Sequence, residues 1–301
     1  MTPTDGTTGM IHNASPGLRL RRSWNESRPL LLPGVFSPFV AKMSERLGFR
    51  AIYLSGGALS ASLGLPDIGL VSVAEFAGEI ARLTAACSLP LLADADTGFG
   101  EALNTERTVK LYEAAGAAGL HLEDQVMPKR CGHLSGKQVI PAEEMAAKIR
   151  AAVAAKRDPD FVIVARTDAR GVLGFDEAVR RAKLYRAAGA DAIFPEALES
   201  AEEFRQFARE VDASLLANMT EFGKCELFTA EQLGGWGYQI VLFPLTAFRS
   251  AMKAAEETLA AVLQHGTQRD RIDSMQTRAE LYDRLGYTGY EARDRAYFGG
   301  H

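Results

Sequence analysis

Short, unbroken apolar runs alternate along this chain with longer stretches whose apolar residues recur at helical spacing. The runs read as strands at residues 30–36 (LLLPGVF), 51–55 (AIYLS), 90–96 (PLLADAD) and 119–123 (GLHLE). Four more follow at residues 161–165 (FVIVA), 192–194 (AIF), 214–218 (SLLAN) and 239–243 (QIVLF). Helices are predicted over 18–24, 38–47, 73–87, 104–115, 141–155, 175–188, 201–211, 248–264 and 276–285, with a short one starting at 229–233. A Gly- and Tyr-rich tail closes the chain. Strands alternating with amphipathic helices imply a parallel sheet with helical crossovers. Eight such units in 301 residues fit a (β/α)8 TIM-type barrel with extra C-terminal helices. Residues 1–22 are expected to form a poorly ordered arm, and residues 23–301 a single barrel domain with its helical extension.

In such a barrel the active groups sit at the C-terminal ends of the strands. The polar residues at the predicted strand ends are Ser55, Asp94, Asp96, Glu123, Arg166, Glu196 and Asn218. A barrel would turn them all to one mouth, whereas an open sheet would scatter them along a crevice. Asp94 and Asp96 are one residue apart, so strand alternation would put both carboxylates on one face. Two such carboxylates repel unless a cation lies between them, and oxygen-only ligands suit Mg²⁺ or Mn²⁺. Helix capping is the bland alternative, and Glu123 on the neighbouring predicted strand weighs against it.

The stretch GLHLEDQVMPKRCGH, from Gly119 to His133, brings further chemistry. Cys131 alone reads as a small core residue, but Lys129, Arg130 and His133 around it are the cationic neighbours that mark reactive thiols. Arg166, at the tip of a very apolar strand, faces either an anionic ligand or a structural partner such as Asp168 or Glu196. Glu196 reads as an acid/base group or as the counter-ion of Arg166. Ser55-Gly56-Gly57 can present backbone N–H groups to a carboxylate or form a plain turn. Asn218 and Thr220 offer neutral hydrogen bonds, with helix capping the alternative for Thr220. Arg249 and Arg278 fall on predicted helices, where a solvated face is the default.

Composition narrows the function classes. Hydrophobic residues make up 47% and charged residues 24%, with a formal net charge of −4. That is a soluble globular balance without the basic footprint of a nucleic-acid binder. Cys87, Cys131 and Cys225 are too few and too scattered for a disulfide framework or a zinc site, and suit a reducing compartment. No apolar run is long enough to span a membrane. The N-terminus has no compact apolar segment of a secretory signal, although Arg19, Arg21 and Arg22 mimic a weak organelle transit peptide. A cytoplasmic protein is expected.

At these residues the chain resembles the isocitrate lyase/phosphoenolpyruvate mutase superfamily, and within it the 2-methylisocitrate lyase family. The matching stretches are YLSGG at Tyr53, SLGLPD at Ser62, DADTGFG at Asp94, GLHLEDQ at Gly119, KRCGH at Lys129 and ARTD at Ala165. PEA at Pro195, NMTEFG at Asn218, FPLTAFR at Phe243 and GTQRDRIDSMQTRAELY at Gly266 continue them in order. The Lys-Arg-Cys-Gly-His segment separates lyases from the phosphonate-forming and phosphonate-cleaving relatives. True isocitrate lyases are much longer.

The resemblance implies a Mg²⁺-dependent barrel enzyme, commonly a homotetramer that exchanges C-terminal helices between subunits. It implies cleavage of a tricarboxylate, 2-methylisocitrate, to pyruvate and succinate in propionate breakdown by the methylcitrate route. Asp94, Asp96 and Asp67 are implied as the metal site, with Glu123 beside them. Lys129, Arg130, Cys131 and His133 are implied as catalytic, Cys131 as the general acid. Tyr53 and a metal-associated carboxylate are the candidates for the base. Ser55, Gly56, Gly57, Cys131, Gly132, Arg166, Glu196, Asn218, Met219, Thr220, Arg249 and Arg278 are carried over as substrate contacts. Two alternatives stay open: a relative acting on dimethylmalate or another 2-hydroxy diacid, and a barrel that binds dicarboxylates without turnover.

Overall fold

The fold was obtained as a computed structural model that describes residues 14–130 and 136–299. Its centre is a closed barrel of eight parallel strands in sequence order. These are β1 (Leu30–Val35), β2 (Ile52–Leu54), β3 (Leu91–Asp94), β4 (Gly119–Glu123), β5 (Val162–Thr167), β6 (Ala192–Pro195), β7 (Ser214–Asn218) and β8 (Ile240–Phe243). Closure comes from β1 pairing with β8, Leu30 opposite Ile240 and Leu32 opposite Leu242. All eight expected strands are present, and each is covered on both faces, which is why they read as continuous apolar runs.

Strand alternation divides the core in two. Leu30, Leu32, Tyr53, Leu92, Val162, Val164, Phe194, Leu216, Ile240 and Leu242 form the barrel's inner cluster. Their chain neighbours, among them Ile52, Leu54, Leu91, Ala93, Ile163, Ala165 and Val241, pack outward under the helices. The same inner parity, carried to the end of each strand or one residue beyond it, sends Ser55, Asp94, Arg166, Glu196 and Asn218 into the same end of the barrel.

The opposite end is closed by the helix Pro16–Glu26, capped by Ser15, whose Oγ accepts from the Leu18 N–H at 3.2 Å. Leu20 and Trp24 of this helix join the inner cluster. Arg21 donates to Asp191 at 2.8 Å. Residues 16–22 therefore belong to the folded body rather than to a loose arm, and Arg21 ties this helix to the barrel. Two further helices, Gly56–Ser62 and Tyr287–Tyr297, were read in the sequence as a turn and a tail. Both are rich in Gly or Tyr, so intrinsic propensity argued against them.

The C-terminal helices Thr246–His265, Arg278–Leu285 and Tyr287–Tyr297 bury none of their residues within the chain. Leu259, Leu263, Tyr297 and Phe298 stand exposed on them. Among the described residues, no helix is long and apolar enough to cross a membrane.

Candidate active site

An open cleft lies at the C-terminal mouth of the barrel. Tyr53, Ser55, Gly57, Asp67, Asp94, Lys129, Arg130, Arg166, Phe194, Glu196, Asn218 and Thr220 line it. Five of the eight strands therefore deliver a side chain from their C-terminal end to one cleft, as a barrel requires and an open sheet does not.

Acids and one lysine make the first half of the site. Lys129 Nζ lies 2.5 Å from Asp67 Oδ1 and 2.9 Å from Asp96 Oδ1. Burial works against the lysine's charge, but Glu123, Asp96, Asp94 and Asp67 outweigh it and raise its pKa, so the ammonium persists. Asp94 accepts the Gly56 N–H at 3.0 Å and the Asp96 N–H at 2.9 Å. Its other neighbour is His121, with Nε2 3.2 Å from Oδ1. Burial opposes ionisation of Asp94, yet His121 and Lys129 hold its carboxyl well below the usual range. Asp96 moves the other way, raised to about 6 by burial despite Lys129.

The pairing of Asp94 with Asp96 does not arise from strand alternation. The strand ends at Asp94, and Asp96 sits in the left-handed region at φ 44°, which Asp tolerates better than most residues. The turn itself folds the second carboxylate back towards the first. Gly56 is equally constrained: a Cβ there would lie 2.8 Å from Asp94 Oδ2. Its N–H is thus committed to Asp94, not presented to a ligand as expected from the sequence. Ser55 caps the helix Gly56–Ser62 and, with Gly57, still borders the cleft.

Arg166 is the centre of the second half. Its Nε lies 2.9 Å from Asp168 Oδ2 and 3.3 Å from Glu123 Oε2. Nη1 lies 3.6 Å from Glu196 Oε2, and the guanidinium stands 5.1 Å from the centre of the Phe194 ring. Both partners foreseen as structural alternatives, Asp168 and Glu196, are there, and the guanidinium still reaches the cleft. Glu123 is buried, which pushes its carboxyl well up despite Arg166. Its Oε1 has no hydrogen-bond partner among the described residues. Asn218 Nδ2 donates to Glu196 Oε2 at 3.2 Å. Tyr53 Oη lies 2.7 Å from His121 Nε2. Burial, then Asp94, raises the Tyr53 pKa, so it stays a phenol at neutral pH.

Three of the expected contacts do not reach the cleft. Met219 is 3% exposed, packed in the outer core, and its N–H donates to Leu242 O at 2.8 Å. Arg249 lies 3.6 Å from Glu221 and over the Phe222 ring on the helix Thr246–His265. Arg278 is exposed on the helix Arg278–Leu285. Cys131, Gly132 and His133 lie outside the described residues. Reading the sequence missed His121, Phe194 and the lysine Lys137, which lies 2.6 Å from Asp168. His121 carried a usable signal, since a lone imidazole inside GLHLE occupies an inward position.

An oxygen-only cluster around one buried cation, with the spare acceptor of Glu123 close by, has the donor chemistry of a hard divalent ion. Among the described residues, no three such donors yet converge as a closed ligand set. Asp67, Asp94 and Asp96, the carboxylates around Lys129, are the side chains whose chemistry suits such an ion.

Residues 20–263 match the phosphoenolpyruvate phosphomutase family. The chain is 55% identical to the 2-methylisocitrate lyase of Aeropyrum pernix over 93% of this chain and 90% of that protein. Among solved structures it is similar to 2,3-dimethylmalate lyase, a phosphoenolpyruvate mutase/isocitrate lyase superfamily member (TM-score 0.87, 32% identity, 95% and 96% of the two chains). It is also similar to phosphonopyruvate hydrolase in complex with oxalate and Mg²⁺ (TM-score 0.85, 31% identity, 95% and 100% of the two chains). The chain belongs to the phosphoenolpyruvate mutase/isocitrate lyase superfamily and, within it, to the 2-methylisocitrate lyase family.

Proposed function

We propose that the cleft cleaves 2-methylisocitrate to pyruvate and succinate. The observation that carries this reading is that Arg166 and the Asp67–Asp94–Asp96–Lys129 cluster line or border one cleft, an anion-binding group beside a cation-binding one. Asp94, Asp96 and Asp67 would hold Mg²⁺, which when bound supplies a Lewis acid that lowers the pKa of a chelated hydroxyl. Arg166, with Asn218 and Thr220, binds and orients the substrate carboxylates.

The reaction is a retro-aldol step. The hydroxyl proton leaves, its electrons form the ketone of pyruvate, and the C–C bond pair goes to the succinate carbon. Tyr53 is held as a phenol, so it donates a hydrogen bond rather than taking the hydroxyl proton. That leaves proton acceptance to the carboxylates of the acid cluster. Cys131 is proposed as the acid that protonates the succinate carbon, since a thiol of ordinary pKa about 8.5 is mostly protonated at neutral pH. Lys129, Arg130 and His133 are proposed to stabilise the negative charge that collects on that fragment.

A coupled dehydrogenase assay with purified protein, Mg²⁺ and 2-methylisocitrate tests the reading through pyruvate release. Absence of pyruvate sinks it, full activity in Cys131→Ala removes the thiol, and a rate indifferent to EDTA removes the metal. One observation favours a second reading: neither Arg249 nor Arg278 reaches the cleft of its own chain, which suits a diacid such as dimethylmalate. Parallel rates on 2-methylisocitrate, isocitrate and 2,3-dimethylmalate decide between them.

The unburied C-terminal helices support a homotetramer in which these segments exchange between subunits. In such an assembly Arg278 would meet a neighbour's cleft instead of its own. The thiols of Cys87 and Cys225, both unpaired, support a cytoplasmic setting, and propionate breakdown by the methylcitrate route is the proposed context.

A further inference from the structure

Behind Arg166 lies a second layer of charge that the proposed reaction does not use. Asp168 is fully buried and grips Arg166 with both oxygens, Nε to Oδ2 at 2.9 Å and Nη2 to Oδ1 at 3.2 Å. It also takes Lys137 Nζ on Oδ1 at 2.6 Å. The Asp168 backbone is anchored as well, its N–H donating to Asp124 Oδ1 at 2.8 Å. Asp124 is in turn held by Thr167 Oγ1 and Tyr185 Oη, each at 2.8 Å, and by Arg181 Nη1 at 2.9 Å.

The Lys137 side chain is only 4% exposed. Burying an ammonium is costly unless it is paired, and packing alone would be served as well by an apolar residue. Its pairing with Asp168 sets that charge on the same carboxylate that holds Arg166. Arg166 has three carboxylates around it, from Asp168, Glu123 and Glu196. An arginine so surrounded is a poor receptor for a polyanion, since its charge is already spent on its neighbours. Lys137 offsets part of that excess. By taking the nearer share of Asp168 Oδ1, at 2.6 Å, it leaves Arg166 Nη2 the longer contact of 3.2 Å to that oxygen.

We propose that Lys137 is a positioning residue for Arg166, acting through the shared carboxylate of Asp168. The proposal rests on the reading of the cleft as an anion-binding active site.

The test uses the full chain with Mg²⁺ and two readouts. Calorimetry with oxalate, a small dianion that needs no turnover, reports the anion site directly, and steady-state kinetics on 2-methylisocitrate separate KM from kcat. Lys137→Met should raise both the oxalate dissociation constant and KM about tenfold, the size of one weakened charge-assisted contact, while kcat moves less than about threefold. Lys137→Arg should restore both values. In an Asp168→Asn background, Lys137→Met should add nothing further. Unchanged oxalate binding and KM in Lys137→Met, or losses that multiply with Asp168→Asn, overturn the proposal. Should Lys137→Met fail to fold, Lys137→Gln keeps the stem and a donor and carries the same comparison. Oxalate binding that depends on Lys137 without any turnover sustains the positioning role and rejects the lyase reading; turnover indifferent to Lys137 does the reverse. A wild-type protein that neither binds oxalate nor turns over defeats both.

Discussion

Lys129 holds its ammonium 2.9 Å from Asp96 Oδ1, inside the acid cluster proposed to bind metal. A lysine and a divalent cation cannot both occupy that position, so they compete for the same oxygens. Lys129→Met should therefore bind Mg²⁺ more tightly, by about tenfold, in titration calorimetry, while turnover falls. Unchanged Mg²⁺ affinity would show that the two cations use different oxygens.

The raised carboxyl of Asp96 makes the metal-free protein pH-sensitive. Its folded value of about 6 lies above its ordinary 3.8, so the folded state holds this proton more tightly than the unfolded one. That contribution to stability is fully present below about pH 4 and disappears as pH rises through about 6. In EDTA, the melting temperature of the wild type relative to Asp96→Asn should fall across that window and flatten above it. A difference that is level from acid to neutral pH contradicts the assignment.

Tyr53 and His121 share a buried contact of 2.7 Å. Tyr53→Phe leaves the ring packing intact but takes away one partner of an imidazole that also orients Asp94. The expected cost is about 1–3 kcal/mol in urea unfolding, with a fall in kcat. Retention of full stability and rate would mean that the phenol is only filling space.

Asp124 anchors four donors: Thr167 Oγ1, the Asp168 N–H, Arg181 and Tyr185. Asp124→Ala takes away the buried partner of Arg181, whose Nε still meets Glu177 at 2.9 Å, and should cost about 3 kcal/mol. Asp124→Asn, which keeps an acceptor, should cost less. Equal losses in the two variants would remove the charge from the account.

Leu259 and Leu263 are 69% and 89% exposed on the helix Thr246–His265. Glutamate at both positions should split the proposed tetramer into smaller species in sedimentation velocity, with the barrel's circular dichroism unchanged. A monomeric wild type, or a tetramer untouched by the pair, excludes assembly through this face.

Much of this was legible in the chain. All eight strands and the mouth-facing set Ser55, Asp94, Glu123, Arg166, Glu196 and Asn218 follow from short apolar runs whose last inward residue is polar, a pattern written locally. Asp96 was identified for an incomplete reason, because a left-handed turn rather than strand alternation turns it to the cluster. Met219 was misjudged as a contact because its neighbours Asn218 and Thr220 face the cleft, and parity sends the residue between them into the core. His121 and Lys137 went unread because each acquires meaning only from a distant partner, Tyr53 and Asp168.

The amino-acid order alone determined the barrel, its polarity and which residue types crowd its mouth, since apolar periodicity and strand parity are short-range properties of the chain. Which charges actually meet was decided only by tertiary structure. That Lys129 stands among Asp67 and Asp96, and that Arg166 shares Asp168 with Lys137, depends on ångström-scale distances between strands and loops far apart in sequence. Electrostatic pairing in a buried site is set by those distances and by the water excluded around them, and neither is encoded by spacing along the backbone.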